Sequence, residues 1–293
     1  MAYAGAVSLF LDSFWRAVAY CVHPRVIALS LLPLALMVAL AWLLGWLYWD
    51  TSVAGVAAWL ESSSVMSGIG SWLQGLGLGG VRTALAPFIL VIAVTPAIVL
   101  VSLVVVAVLM GPSLVSLVAE RRFPQLERKK GGSLLVSIFW SLGSTLLAVI
   151  ALVLSTPLWL IPPLILILPP LIWGWLTYRV MSFDALADHA SREERREVLK
   201  RHRTTLLGIG VLTGYLGAAP SLVWASGVLF AAAFVVLVPL AIWIYTLVFA
   251  FSSLWFSHYC LAALEKLRAE NAAAPPTPTP APLVIDHVQP PVF

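Results

Sequence analysis

Few residues in this 293-residue chain are of types that do chemistry, and their spacing matches no catalytic set. GxxxxGK[ST], HExxH, CxxC and GxSxG are all missing, so P-loop nucleotide binding, zinc proteolysis, dithiol exchange and nucleophile-elbow acyl transfer have no residues to run on. His258 lies near the end of the last apolar stretch with no carboxylate near it in sequence, which reads as a hydrogen-bonded structural histidine. Asp188-His189 falls in a charged loop and reads as a solvated pair. Cys21 and Cys260 have no paired spacing, so neither a disulfide framework nor a zinc site is expected. The chain is not expected to be an enzyme, and nothing in it calls for a metal or a cofactor.

One constellation suits anion binding. In Cys21-Val22-His23-Pro24-Arg25, Pro24 fits the first position of a helix. His23 is a poor N-cap by residue type, so the N–H groups that follow have no obvious local acceptor. Unpaired donors at a positive helix end, with the Arg25 guanidinium beside them, suit an oxyanion at the membrane rim. The other reading of the same residues is that Arg25 reaches a lipid phosphate and anchors the helix. His23, Pro24 and Arg25 are the candidate anion site.

The elements that must position this site are apolar. The chain is 61% hydrophobic and 10% charged, with a mean hydropathy of +0.99; soluble domains average about 45–50% apolar and about 25% charged. A soluble globule is excluded, and the net charge of +4 is no nucleic-acid signal, because the basic residues sit in short loops beside apolar runs. Four stretches carry no Asp, Glu, Lys or Arg: Val26–Trp49, Thr83–Ala119, Gly131–Tyr178 and Thr204–Leu264. A crossing needs about 20 apolar residues. The first stretch is therefore one crossing, and the last two are each long enough to fold back. The Ala39-Leu40-Ala41 triplet resembles a cleavage site, but the apolar run continues through it, so this segment is expected to be retained.

Lys and Arg in short loops set orientation. Residues 120–130 hold five basic residues, residues 179–203 hold seven, and Lys266 and Arg268 follow the last stretch, whereas residues 50–82 hold one. Every loop but 50–82 is expected in the cytoplasm, so stretches three and four start and finish on one side. Trp42, Trp46 and Trp49 fit an interfacial belt at the outer end of the first crossing. Turns are expected at Thr156-Pro157, Pro162-Pro163 and Pro169-Pro170 in stretch three, and at Gly217 and Pro220 in stretch four. Thr204–Ala219 makes only about 24 Å of helix, against a hydrocarbon core of about 30 Å. Residues 3–20 read as an interfacial helix with Asp12 and Arg16 paired at i, i+4. The glycines from Gly68 to Gly80 make the outer loop flexible, and Ser191-x-x-Glu194 reads as a capping box opening a polar helix that runs through Arg203.

These readings give an all-α polytopic membrane protein: an N-terminal interfacial helix, two long spanning helices, and two re-entrant or hemi-penetrating helical hairpins. Residues 1–271 form the membrane domain, and residues 272–293, with Pro-Pro-Thr-Pro-Thr-Pro-Ala-Pro from Pro275, form a disordered cytoplasmic tail. No Asp, Glu, Lys or Arg lies deep in a segment, which argues against proton-coupled pumping.

The order of these features is that of a known family. A Pro-Arg element and an early helix proline (His23-Pro24-Arg25, Leu32-Pro33) precede Gly111-Pro112 and Ala119-Glu120. Then come Asp184, His189, Arg196-Glu197-Val198-Leu199, Arg203, Leu207-Gly208-Ile209-Gly210 and Pro220. Over roughly residues 5 to 235 the chain resembles the sulfate permeases of the CysZ type, within the etoposide-induced-protein domain family. It departs from them at Ala19-Tyr20, His23, Asp184-Ala185-Leu186 and Ser221-Leu222-Val223. Structural hinges are expected at Gly111, Pro112, Pro162, Pro163, Gly208, Gly210 and Pro220. The resemblance implies a homo-oligomer around a pore in a bacterial inner membrane, and the loop charges put both termini in the cytoplasm. The implied activity is ATP-independent entry of sulfate for cysteine synthesis. The alternative function is a non-transporting membrane scaffold whose basic loops bind anionic lipid or a protein partner.

Overall fold

The computed structural model describes residues 2–62, 81–218 and 227–273, and all regular structure among them is helical. In chain order the helices are α1 (Ala2–Cys21), α2 (Pro24–Ser62), α3 (Val81–Arg122), α4 (Leu134–Ser155), a 3-10 turn (Thr156–Leu160), α5 (Pro162–Ala187), α6 (Arg192–Arg201), α7 (Arg203–Ala218) and α8 (Gly227–Ala273). Five of them, α2, α3, the α4 segment, α5 and α8, are long and apolar enough to cross a membrane. The tail expectation concerns mostly residues 274–293, and the outer-loop glycines and Pro220 likewise lie outside the described residues.

Helix α1 has two faces. Phe10 and Phe14 pack on Trp255 of α8 with ring centroids 5.1 and 5.0 Å apart. Leu11, Trp15, Val18 and, just past its end, Val22 form an exposed apolar stripe. A helix with such a stripe beside a charged edge, here carrying Asp12 and Arg16, suits the membrane interface.

Several expected breaks are not breaks. Helix α2 runs on through Asp50 to Ser62, so the first part of the expected outer loop is helical. Helix α3 is continuous through Gly111 and Pro112, and α7 is continuous through Gly208, Gly210 and Gly217. Pro169 and Pro170 lie inside α5. Proline at position 170 frees the carbonyl of Leu166, and the Tyr215 hydroxyl on α7 donates to that oxygen at 3.0 Å. The partner helix thus supplies the bond that the proline removes. The turn in stretch three is the 3-10 segment itself. Ile161 N–H donates to Leu158 O at 3.1 Å, and Pro162 and Pro163 open the next helix.

Gly210 has a packing role. A Cβ there would lie 2.2 Å from Gly174 O, and one on Gly174 would lie 2.6 Å from the Val211 Cα. With Gly214 one turn on, these glycines let the backbones of α5 and α7 touch, as small residues do between membrane helices. At Gly208 a Cβ would meet nothing within 4 Å.

The two ends of stretch three meet. Gly131 N–H donates to Ala190 O at 3.1 Å and Gly132 N–H to Ala187 O at 3.0 Å, and Lys130 takes a φ of 46° to make this turn. The ends of stretch four meet as well. Arg201, just before α7, binds Glu270 at 2.8 Å near the end of α8. The capping box forms as expected, with Ser191 and Glu194 bonded reciprocally. The helix it opens stops at Arg201 rather than Arg203, because His202 leaves helical geometry.

Candidate functional site

The turn from α1 to α2 carries the expected anion site. His23 N–H donates to Tyr20 O at 3.0 Å, which closes α1, and Pro24 takes the first position of α2. His23 then caps α2 after all. The Arg25 N–H donates to its Nδ1 at 3.2 Å, and its carbonyl accepts from Val26 and Ile27 at 2.9 and 3.1 Å. An imidazole Nδ1 can reach the N–H two residues on much as an asparagine oxygen does. The expectation of unpaired N–H donors is therefore corrected. The charge remains: the Arg25 side chain is exposed, with no ion pair or side-chain hydrogen bond among the described residues.

A second guanidinium joins it. Arg121, in the last turn of α3, is also exposed and without an ion pair among the described residues. Its field and that of Arg25 reach His23. Desolvation, then Arg121, then Arg25 hold the imidazole below its ordinary pKa, so it stays neutral at pH 7 and keeps a lone pair for capping. His23, Arg25 and Arg121 form one electropositive corner where α2 starts and α3 ends.

The adjacent residue has the opposite fate. Arg122 donates to Asp12 at 2.6 Å and approaches Nδ1 of the fully buried His258 at 3.2 Å. Asp12 also accepts from Arg16 at 2.8 and 2.9 Å, the i, i+4 pair expected from sequence. Arg16 and Arg122 hold the Asp12 carboxyl below its ordinary range against the opposing effect of burial. This network ties α1, α3 and α8 together. His258 is thus a structural, hydrogen-bonded histidine. Its partner lies 136 residues away, which no local pattern reveals. His189 departs from expectation: it is 2% exposed rather than solvated.

A further set of ion pairs gathers the segments counted as cytoplasmic. Glu194 of α6 accepts from Lys129 at 2.8 Å and from Arg268 of α8 at 3.0 Å. Arg268 also donates to Glu127 O at 3.0 Å and His189 O at 2.6 Å. The arm before α2, the loop after α3, the loop before α7 and the end of α8 all converge at one end of the molecule.

An apolar helical shaft, this polar end and a cationic corner where α2 starts are the parts found from structure. The family model described as sulfate transporter CysZ/etoposide-induced protein 2.4 matches residues 13–227, most of the chain. The chain belongs to this family. No curated protein and no solved structure is significantly similar to it. Family membership makes it a membrane protein of a transporter family. The matched residues include α2 through α7, and with them His23, Arg25 and Arg121.

Proposed function

We propose that the chain is an ATP-independent permease for an inorganic oxyanion, sulfate first. In this reading it works as a homo-oligomer in a bacterial inner membrane, with both termini in the cytoplasm. The observation that carries the reading, within a family of this kind, is the cationic corner of Arg25 and Arg121, two guanidiniums with no ion-pair partner among the described residues. A planar guanidinium binds an oxyanion through two parallel N–H donors, and the summed field of two cations acting on the same imidazole attracts a divalent anion. Pro24 fixes the start of α2, and His23 contributes a cap rather than a ligand.

Two further observations support the hairpin arrangement. Both ends of stretches three and four are bonded together at the polar end. The 3-10 turn between α4 and α5 carries Leu158, Leu160 and Ile161 exposed at 45%, 88% and 51% and no charge, the composition of a turn lodged in hydrocarbon.

The scaffold reading is favoured by one observation: His23 already satisfies the first donor of α2, so the site has fewer free N–H groups than an uncapped helix start offers. Uptake of labelled sulfate into proteoliposomes separates the two. For a permease, Arg25→Ala and Arg121→Ala each lower sulfate affinity about 10-fold or more, the loss of one charge-assisted contact. Arg25→Lys falls between Arg25→Ala and wild type, since it keeps the charge and loses the fork. Equal uptake per inserted molecule across these variants sinks the anion site, and no uptake by the wild type favours the scaffold.

A further inference from the structure

Beside the polar network lies a cavity of about 940 Å³ between α1, α6, α7 and α8. Binding pockets for organic ligands span roughly 300–1,000 Å³, so this one is far larger than an inorganic oxyanion needs. One part of its wall is apolar, with Phe10 from α1, Val198 from α6, and Ala263 and Leu267 from α8. Another part is polar: Lys266 from α8, His202, and Thr204 and Thr205 in the first turn of α7. That turn is the positive end of a 16-residue helix.

The charges of this wall are unequal. Its two acids, Asp12 and Glu270, are already engaged, the first by Arg16 and Arg122 and the second by Arg201. Lys266 has no ion-pair partner among the described residues. His202 pairs its Nδ1 with the Tyr259 hydroxyl at 2.8 Å, which leaves only Nε2 for anything else. The Thr205 hydroxyl is engaged by Tyr259; the ammonium, the Thr204 hydroxyl and an imidazole nitrogen beside apolar walls match an anionic headgroup with an apolar body. The cavity is bounded by α1, whose exposed apolar stripe suits the membrane interface, so it sits at the level of lipid headgroups.

We infer that this cavity is a binding site for one anionic phospholipid, with Lys266 and Thr204 holding the phosphate and Phe10, Val198 and Leu267 flanking the upper part of an acyl chain. The occupied site braces α1 against α7 and α8 at the end where the two returning stretches meet. It is separate from the corner of Arg25 and Arg121, and it does not depend on the permease reading.

The test is native mass spectrometry of the full-length protein, released from nanodiscs holding equal parts of phosphatidylglycerol and phosphatidylethanolamine, with no sulfate present. Wild type is expected to retain one phosphatidylglycerol in preference to phosphatidylethanolamine. Lys266→Gln, a change at an exposed position, weakens that retention about tenfold or more without lowering the Tm of delipidated protein. Ala262→Trp, which fills the cavity from the half-buried edge of α8, abolishes the retention. Equal retention of the two lipids, or retention unchanged in both variants, overturns the inference. Retention that appears only after residues 274–293 are deleted also overturns it, because it makes the chain's own tail the occupant.

Discussion

In the C-terminal half of α8, Trp255, Phe256, His258 and Tyr259 are 0–2% exposed, whereas Trp42 and Trp46 of α2 are 70% and 73% exposed and stack on each other 6.2 Å apart. The most apolar part of α8 is 39% buried within the chain; the corresponding parts of the other four candidate spans are 11–17% buried. The polar end is therefore closed on itself, while the shafts of α2, α3 and α4 present their apolar faces outward to lipid or to further copies of the chain. Lipid tails are as apolar as leucine, so a shaft gains little by burying one side chain against another. Specificity has to come from close backbone approach and from polar pairs, and the closed end has both.

The sharpest way to break this contrast is at the glycine contact. In Gly210→Ala the new methyl starts 2.2 Å from Gly174 O, a backbone atom that cannot turn away, so α5 and α7 must separate. A loss of about 3 kcal/mol or more is expected, beyond ordinary overpacking, seen as low yield and a lowered Tm in detergent. Gly208→Ala, two residues earlier with open space around it, is expected to raise helix stability by up to about 1 kcal/mol. Equal Tm values for the two variants would remove the packing role assigned to Gly210.

The neighbours Arg121 and Arg122 sharpen the contrast at a smaller scale. Arg122→Ala leaves the buried His258 without its donor and takes one of two cations from Asp12, at a cost of about 1–3 kcal/mol. Arg121→Ala touches no such partner and should stay within about 0.5 kcal/mol of wild type. Thermal melting of both variants measures this. In sulfate uptake per folded molecule the order reverses, because Arg121 belongs to the cationic corner. Two variants that move together in both assays would show that the corner and the network are one structure.

Much of this was legible in the chain itself. Length and hydropathy of the first two charge-free stretches suffice to mark α2 and α3 as spanning helices, whereas the two longer stretches read as returning hairpins rather than as the separate long helices α5 and α8. Asp12–Arg16 and the Ser191–Glu194 capping box were readable because their partners lie within one helical turn. Arg122–His258 and Arg268–Glu194 were not, since they are separated by 136 and 74 residues and no local spacing encodes them. The prolines misled for a definite reason. Pro169-Pro170 has the local chemistry of a break, but Tyr215 from another helix satisfies the freed carbonyl. Gly210 has the composition of a hinge and the surroundings of a contact. By residue type His23 is a poor cap, yet the neutral imidazole in that cationic corner accepts as an asparagine would.

The smallest expected effect concerns pH. Glu194 is 12% exposed and accepts from Arg268 and Lys129 and from the Ser191 N–H at 2.9 Å. Burial by itself would raise its pKa, but those donors outweigh it and hold the carboxyl at about 2, against an ordinary 4.5. A carboxyl with a folded-state pKa below its unfolded one stabilises the fold fully above about pH 4.5, and that stability is lost as pH falls from about 4.5 toward 2. After allowance for solvent at this rim, the contribution is about 1–2 kcal/mol. Melting wild type and Glu194→Gln between pH 7 and pH 3 isolates it. The variant should melt lower at pH 7 and lose less on acidification, so the two curves approach each other near pH 3. Glu197→Gln, which breaks a pair exposed at both ends, should leave the wild-type profile unchanged. Parallel profiles for wild type and Glu194→Gln would mean that Arg268 and Lys129 hold the polar end together without this carboxylate, and the closed end would then owe its stability to the aromatic packing around Trp255.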